Sequence, residues 1–90
     1  MKQIPNYKDY CVTEEGRVWS IKSYRFLKSR PDRRGYLQVS LPYDGRFKNR
    51  FVHQLVLEAF VGPKPSGKVT RHLDGNSKNN CLNNLMWGST

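Results

Sequence analysis

Hydrophobic positions along the chain follow two rhythms. Through the first fifty residues they come in short runs or alternate, and after that they recur at helical spacing. Residues 10–13 (Tyr-Cys-Val-Thr) and 17–20 (Arg-Val-Trp-Ser) are short β-prone runs around Glu14-Glu15-Gly16, a pattern that predicts a hairpin. Phe26 and Leu27 follow, and residues 29–35, punctuated by Pro31 and Gly35, are expected to form a loop. In residues 35–41, Leu37, Val39 and Leu41 alternate with Tyr36, Gln38 and Ser40, as in a strand with one buried face. Residues 42–45, Pro-Tyr-Asp-Gly, predict a turn, with Pro42 setting φ and Asp44-Gly45 permitting the reversal. A short strand around Phe47 is expected to pair back.

The second rhythm begins at Val52. Val52, Leu55, Val56, Ala59 and Phe60 form the apolar stripe of an amphipathic helix, which Gly62-Pro63 should stop. Residues 63–67 read as a connector, residues 68–72 as a short strand and residues 73–81 as a polar loop. Residues 85–87 are a last β-like run. The connector is rich enough in Pro and Gly to mark a module boundary.

Ninety residues bound the possibilities: one modest core can form, but a large enclosed cavity cannot. No run of apolar residues approaches the length of a membrane span or a secretory leader, so no membrane partner is expected. Cys11 and Cys81 read as free thiols in a reducing compartment.

Charge changes the picture more. Sixteen Lys and Arg against seven Asp and Glu give +9, and residues 16–50 carry most of it, with ten basic residues opposed only by Asp32 and Asp44. Such a field draws polyanions. Turns and aromatics interrupt the stretch, whereas a membrane-surface segment is usually a basic amphipathic helix, so nucleic acid is the favoured partner. Candidate phosphate contacts are Arg17, Lys22, Arg25, Lys28, Arg30, Arg33 and Arg34, with Arg71 in the last third. There too His72, Asp74, Asn76, Asn79, Asn80, Asn83 and Asn84 crowd together. Asx residues shape turns in many proteins, so composition alone leaves catalysis and loop structure both open.

The order of these residues carries a resemblance. His72-x-Asp74-Gly75-Asn76, then Asn79-Asn80, then Asn84-Leu85-x-Trp87-Gly88 resembles the HNH endonucleases of phage and intron-homing type. Residues 7–21, around Tyr10-x-Val12-Thr13-x-x-Gly16-Arg17-Val18-Trp19-Ser20, are similar to the nuclease-associated modular DNA-binding element that often precedes such domains. Residues 35–41 and 52–60 continue the pattern, and the resemblance implies a modular DNA-binding element over residues 1–50 and an HNH endonuclease-like domain over residues 51–90.

The resemblance implies an α+β fold, a small antiparallel sheet plus one helix, followed by a ββα-metal hairpin that lacks its final helix within these 90 residues. It implies metal-dependent hydrolysis of double-stranded DNA in the host cytoplasm, with His72 as general base and Asn84 orienting its imidazole. A histidine near its ordinary pKa of about 6.5 suits that task at neutral pH. The implied cofactor is Mg or Mn. Arg71 stands where some members place an aspartate ligand, and it can grip a phosphate instead. The family's last ligand, an Asn or His on the following helix, would lie beyond Thr90. Within the chain, Asn79, Asn80 and Asp74 are the candidate metal ligands. Their other reading is structural, Asp74 shaping the loop and Asn79, Asn80 and Asn83 closing it. His53 is expected to make a helix-terminus hydrogen bond, and Trp19 and Trp87 to pack in the core or an interface. The alternative function is a catalytically defective DNA-binding or inhibitor protein derived from such a nuclease.

Overall fold

The alternating segments pair into antiparallel strands wherever a turn permits it. The computed structural model describes residues 1–89. Strands β1 (Lys2–Ile4), β2 (Tyr7–Val12), β3 (Val18–Ser20) and β4 (Arg25–Phe26) form a sheet in sequential order. Strands β5 (Arg30–Pro31), β6 (Leu37–Tyr43) and β7 (Arg46–Phe51) form a second. Helix α1 (Val52–Phe60) follows directly, and β8 (Val69–His72) pairs with β9 (Leu85–Gly88) after a 3-10 turn at Leu82–Asn84. The α+β expectation therefore holds. No helix among the described residues is long and apolar enough to cross a membrane.

Three local differences from the sequence reading have physical causes. β1 was not expected, yet it buries Ile4 completely and pairs with β2 across a turn at Asn6, whose φ is +69°. The expected loop at 29–35 is instead a tight hairpin. Asp32 Oδ1 accepts the N–H groups of Arg34 (2.9 Å) and Tyr36 (3.0 Å), which folds Arg30–Pro31 back onto Leu37 and Gln38. Pro42 does not begin a turn but stays in β6 opposite Phe47. The two-residue loop is Asp44-Gly45, both left-handed (φ +51° and +74°), which matches the twist of the flanking strands. β5 is too short to reach Pro42, so the missing N–H breaks no ladder.

Helix α1 sits at the centre. It starts from Phe51 without a side-chain cap and ends where Val61 and Gly62 both donate their N–H groups to Leu57 O. The stripe residues Val52, Leu55 and Val56 are fully buried, and Ala59 and Phe60 pack against the same core. Leu57, off the stripe, is buried as well, because α1 touches β1 and β2 on one side and β6, β7 and β9 on others. Ile4, Tyr7, Val12, Val18, Val39, Leu41 and Leu85 complete one cluster that runs across residue 50. Trp87 packs on it, its Nε1 donating to Gly62 O at 3.3 Å, whereas Trp19 lies half-buried beside Phe26 and Tyr24. Cys11 and Cys81 are free thiols.

The buried side of α1 also holds an ionisable residue, His53, only 7% exposed. It makes no helix-terminus bond through Nδ1, which is buried and has no partner; its ring stacks on Phe51 with centroids 5.1 Å apart. Burial first, and the neighbouring His72 second, lower its pKa to about 4, with Asp32 opposing. The folded chain thus binds this proton less readily than the unfolded chain, and stability falls as pH drops through the window from 6.5 towards 4. Urea unfolding at pH 7.5 and 5.0 should show the wild type losing about 2 kcal/mol more than His53→Phe between the two conditions. Equal losses would show that His53 does not resist protonation in the fold.

Candidate active site

The β8–β9 hairpin sets the site by register. His72 lies opposite Leu85 and Arg71 opposite Met86, so the half-buried His72 and the exposed Arg71 point to opposite faces. Gly88 leaves room for the Arg71 side chain, whose Cγ and Cδ occupy the space a Cβ at Gly88 would need.

The loop between these strands is organised by Asp74. Its Oδ1 accepts from Asn76 N (2.8 Å) and Asn84 Nδ2 (2.9 Å), and its Oδ2 accepts from Asn79 Nδ2 (2.9 Å). These bonds, that from Asn79 foremost, hold the carboxyl below the usual carboxylate range. Asn84 is the second hub. Its Oδ1 accepts Asp74 N (3.0 Å) and its Nδ2 also donates to Asn79 O (2.9 Å), while Leu73 N donates to Asn84 O (2.8 Å). Its amide is therefore spent on the loop, and it makes no hydrogen bond to the imidazole among the described residues.

The partner of His72 is Asn80. Its Oδ1 lies 2.9 Å from His72 Nε2, and the side chain is 3% exposed. With Oδ1 facing the ring, the contact is a hydrogen bond in the tautomer that carries its proton on Nε2, which leaves Nδ1 as the acceptor nitrogen. The bond to the ring thus comes from the middle of the loop, and Asn80 and Asn84 are both buried. Around the ring stand Tyr36 (centroids 5.8 Å) and His53 (5.1 Å, edge on), with Phe51 behind His53. Tyr36 and His53 were not anticipated as neighbours of His72, because the β5–β6 turn and the start of α1 meet β8 only through the tertiary fold.

The ligands expected for a metal do not assemble. Both Asp74 oxygens serve the loop, Asn80 Oδ1 serves His72, and Asn79 Oδ1 faces Cys81 N at 3.4 Å. Among the described residues no group of three or more His, Cys, Asp or Glu side chains converges. The residues present do not fit a metal centre by themselves. Thr90, and the helix expected after it, lie outside the described residues.

The basic candidates are available. Arg17, Lys22, Arg25, Lys28, Arg30, Arg33, Arg34 and Arg71 are all exposed. Arg33 and Arg34 occupy the tip of the β5–β6 hairpin, and Arg17 stacks 3.8 Å from the Phe26 ring centroid. Lys22 has a neighbour in Asp9 at 3.6 Å. Arg50, by contrast, is committed to Glu58 (2.5 Å) and to the Tyr7 hydroxyl. Beside His53 opens a cleft of about 410 Å³ whose lining includes Arg34, Tyr36, Gln54, Lys64 and Lys68.

Known proteins share this fold. Residues 50–90 match the family model described as HNH endonuclease, and residues 2–42 match the NUMOD4 motif. The DNA endonuclease I-HmuI of Bacillus phage SP01 is 39% identical over 87 residues, covering 96% of this chain and 50% of that protein. An uncharacterized HNH endonuclease of Acanthamoeba polyphaga mimivirus, L245, is 32% identical over 84 residues (93% and 26%). The H-N-H endonuclease F-TflII of Escherichia phage T5 is 30% identical over 87 residues (94% and 45%). The chain thus spans half or less of the length of these curated relatives. A solved structure of I-HmuI, described as DNA binding and cleavage by the HNH homing endonuclease, superposes with a TM-score of 0.90 at 38% identity, over 98% of this chain and 51% of that one. Both motifs stand in order and the fold is shared along nearly the whole chain: it carries an HNH endonuclease segment over residues 50–90, preceded by the NUMOD4 motif over residues 2–42, and is similar in fold to the homing endonuclease I-HmuI.

Proposed function

We propose that this chain binds double-stranded DNA through its exposed basic face and contributes the general base of a phosphodiester hydrolysis, working in the host cytoplasm. The observation that carries the reading is the bond from His72 Nε2 to the buried Asn80 Oδ1. It leaves Nδ1 as the proton acceptor, and an activated water is what a phosphodiester needs for attack. In this reading His72 takes the water's proton, Asn80 holds the ring in one tautomer, and Arg71 on the neighbouring strand position grips a phosphate. Tyr36 and His53 confine the ring on the protein side. A divalent ion, Mg or Mn as is usual in this family, would stabilise the charge developing on the phosphate.

Three outcomes are expected. His72→Ala should slow nicking of supercoiled plasmid by about 10² to 10⁴ while leaving DNA affinity within a few fold. Undiminished nicking would remove His72 from the chemistry. Binding to a duplex should weaken steeply with salt. Replacing Arg30, Arg33 and Arg34 together by Ala should flatten the log–log slope by roughly 2 to 3 units, and an unchanged slope would take that hairpin out of the interface. Titration of the 90-residue chain with Mg²⁺ should show no saturable site tighter than about 10⁻³ M, the weak end of oxygen-ligand sites. A tighter site would mean that the loop amides rearrange to bind the ion.

A further inference from the structure

The turn between β2 and β3 presses against the loop that holds Asn80. Gly16 sits there with φ +88°, and a Cβ on it would lie 2.8 Å from both the Cβ and the carbonyl oxygen of Asn80. Beside that contact Glu14 O accepts Leu82 N–H at 2.6 Å. The turn is itself closed by Thr13, whose N–H donates to Arg17 O, whose carbonyl accepts Gly16 N–H, and whose Oγ1 accepts Arg17 N–H at 3.0 Å. Residues 80–82 are therefore gripped from the far end of the sequence.

That grip matters because Asn80 is poorly held by its own polar bonds. Its Nδ2 is buried with no partner, an unfavourable state for an amide, and its Oδ1 has His72 as its bonded neighbour. Packing against Gly16, with the adjacent bond from Leu82, is what keeps the amide beneath the ring. We infer that the 13–17 turn is a positioning element for His72: it wedges Asn80 under the imidazole and so sets the ring's tautomer and direction. Gly16 is the positioning residue, since no side chain fits between the turn and Asn80. The effect on cleavage rests on the nuclease reading above; the effect on the His72–Asn80 bond does not.

The control is Gly45. It has a similar left-handed φ of +74°, but nothing lies within 4 Å of where its Cβ would be. Gly45→Ala therefore imposes the backbone strain of Gly16→Ala without the contact. The ring nitrogens of His72, observed by ¹⁵N NMR at one pH in the 90-residue chain, should report a proton held on Nε2 in the wild type and in Gly45→Ala. In Gly16→Ala they should shift toward a mixture of tautomers. Plasmid nicking by Gly16→Ala should fall about tenfold or more in kcat with KM unchanged, the effect of losing roughly 1.4 kcal/mol of alignment. If Gly16→Ala does not fold, Thr13→Val, which removes only the hydroxyl that accepts Arg17 N–H, should shift the ring signals less but in the same direction. Ring signals alike in Gly45→Ala and Gly16→Ala, or unmoved by Thr13→Val, would overturn the inference. Ring signals shifted as expected in Gly16→Ala, with plasmid nicking equal to that of the wild type, would count against the nuclease reading alone.

Discussion

Burial of α1 on more than one face is the constraint from which the rest of the structure follows. A nine-residue helix has little stability of its own, since isolated helices of this length are marginal in water. It persists because Val52, Leu55, Val56 and Leu57 are removed from solvent together, each worth about 1.5–3 kcal/mol when fully buried. The surfaces that cover them come from all three sheets, so no sheet closes its apolar face without the helix. Because α1 begins one residue after β7 ends, the same packing brings His53 and Phe51 beside β8.

The site shows how a polar loop can be rigid without a core. One carboxylate accepts three hydrogen bonds, and one carboxamide, that of Asn84, uses both its oxygen and its nitrogen within the same loop. Those bonds close the loop on itself and leave the separate amide of Asn80 for the imidazole. Asp74, Asn79 and Asn84 bond one another across the loop and hold it as a scaffold.

Much of the fold was legible from pattern. The stripe from Val52 to Phe60 and the alternation in residues 37–41 reflect burial on one face, which sequence records directly. The hairpin around Gly16 was legible for the same reason. What escaped depended on local hydrogen bonds or on distant partners. Asp32 turns an apparent loop into a hairpin, and Pro42 stays in its strand because the neighbouring strand is too short to need its N–H. In the site, His72 stood out by its motif. Assigning its partner required knowing which of two buried asparagines, Asn80 or Asn84, faces the ring, and the turn that packs against Asn80 lies more than sixty positions away. His53 had no sequence signal beyond its place at a helix start, since its aromatic neighbours are gathered by three separate elements.

The single cluster that runs from Ile4 to Leu85 bears on how such proteins can be inherited and recombined. A motif that recurs in front of different nucleases suggests a cassette, able to be cut out and joined elsewhere. Here the seam crosses a shared interior, with Val12, Val18, Val39 and Leu41 from one side of residue 50 packed with Val52, Leu55 and Leu85 from the other. Exchanging one half alone would leave mismatched apolar surfaces and a mismatched turn at the seam. Successful chimaeras in this lineage should therefore carry both halves across together, or accumulate paired changes on the two sides of the shared interior.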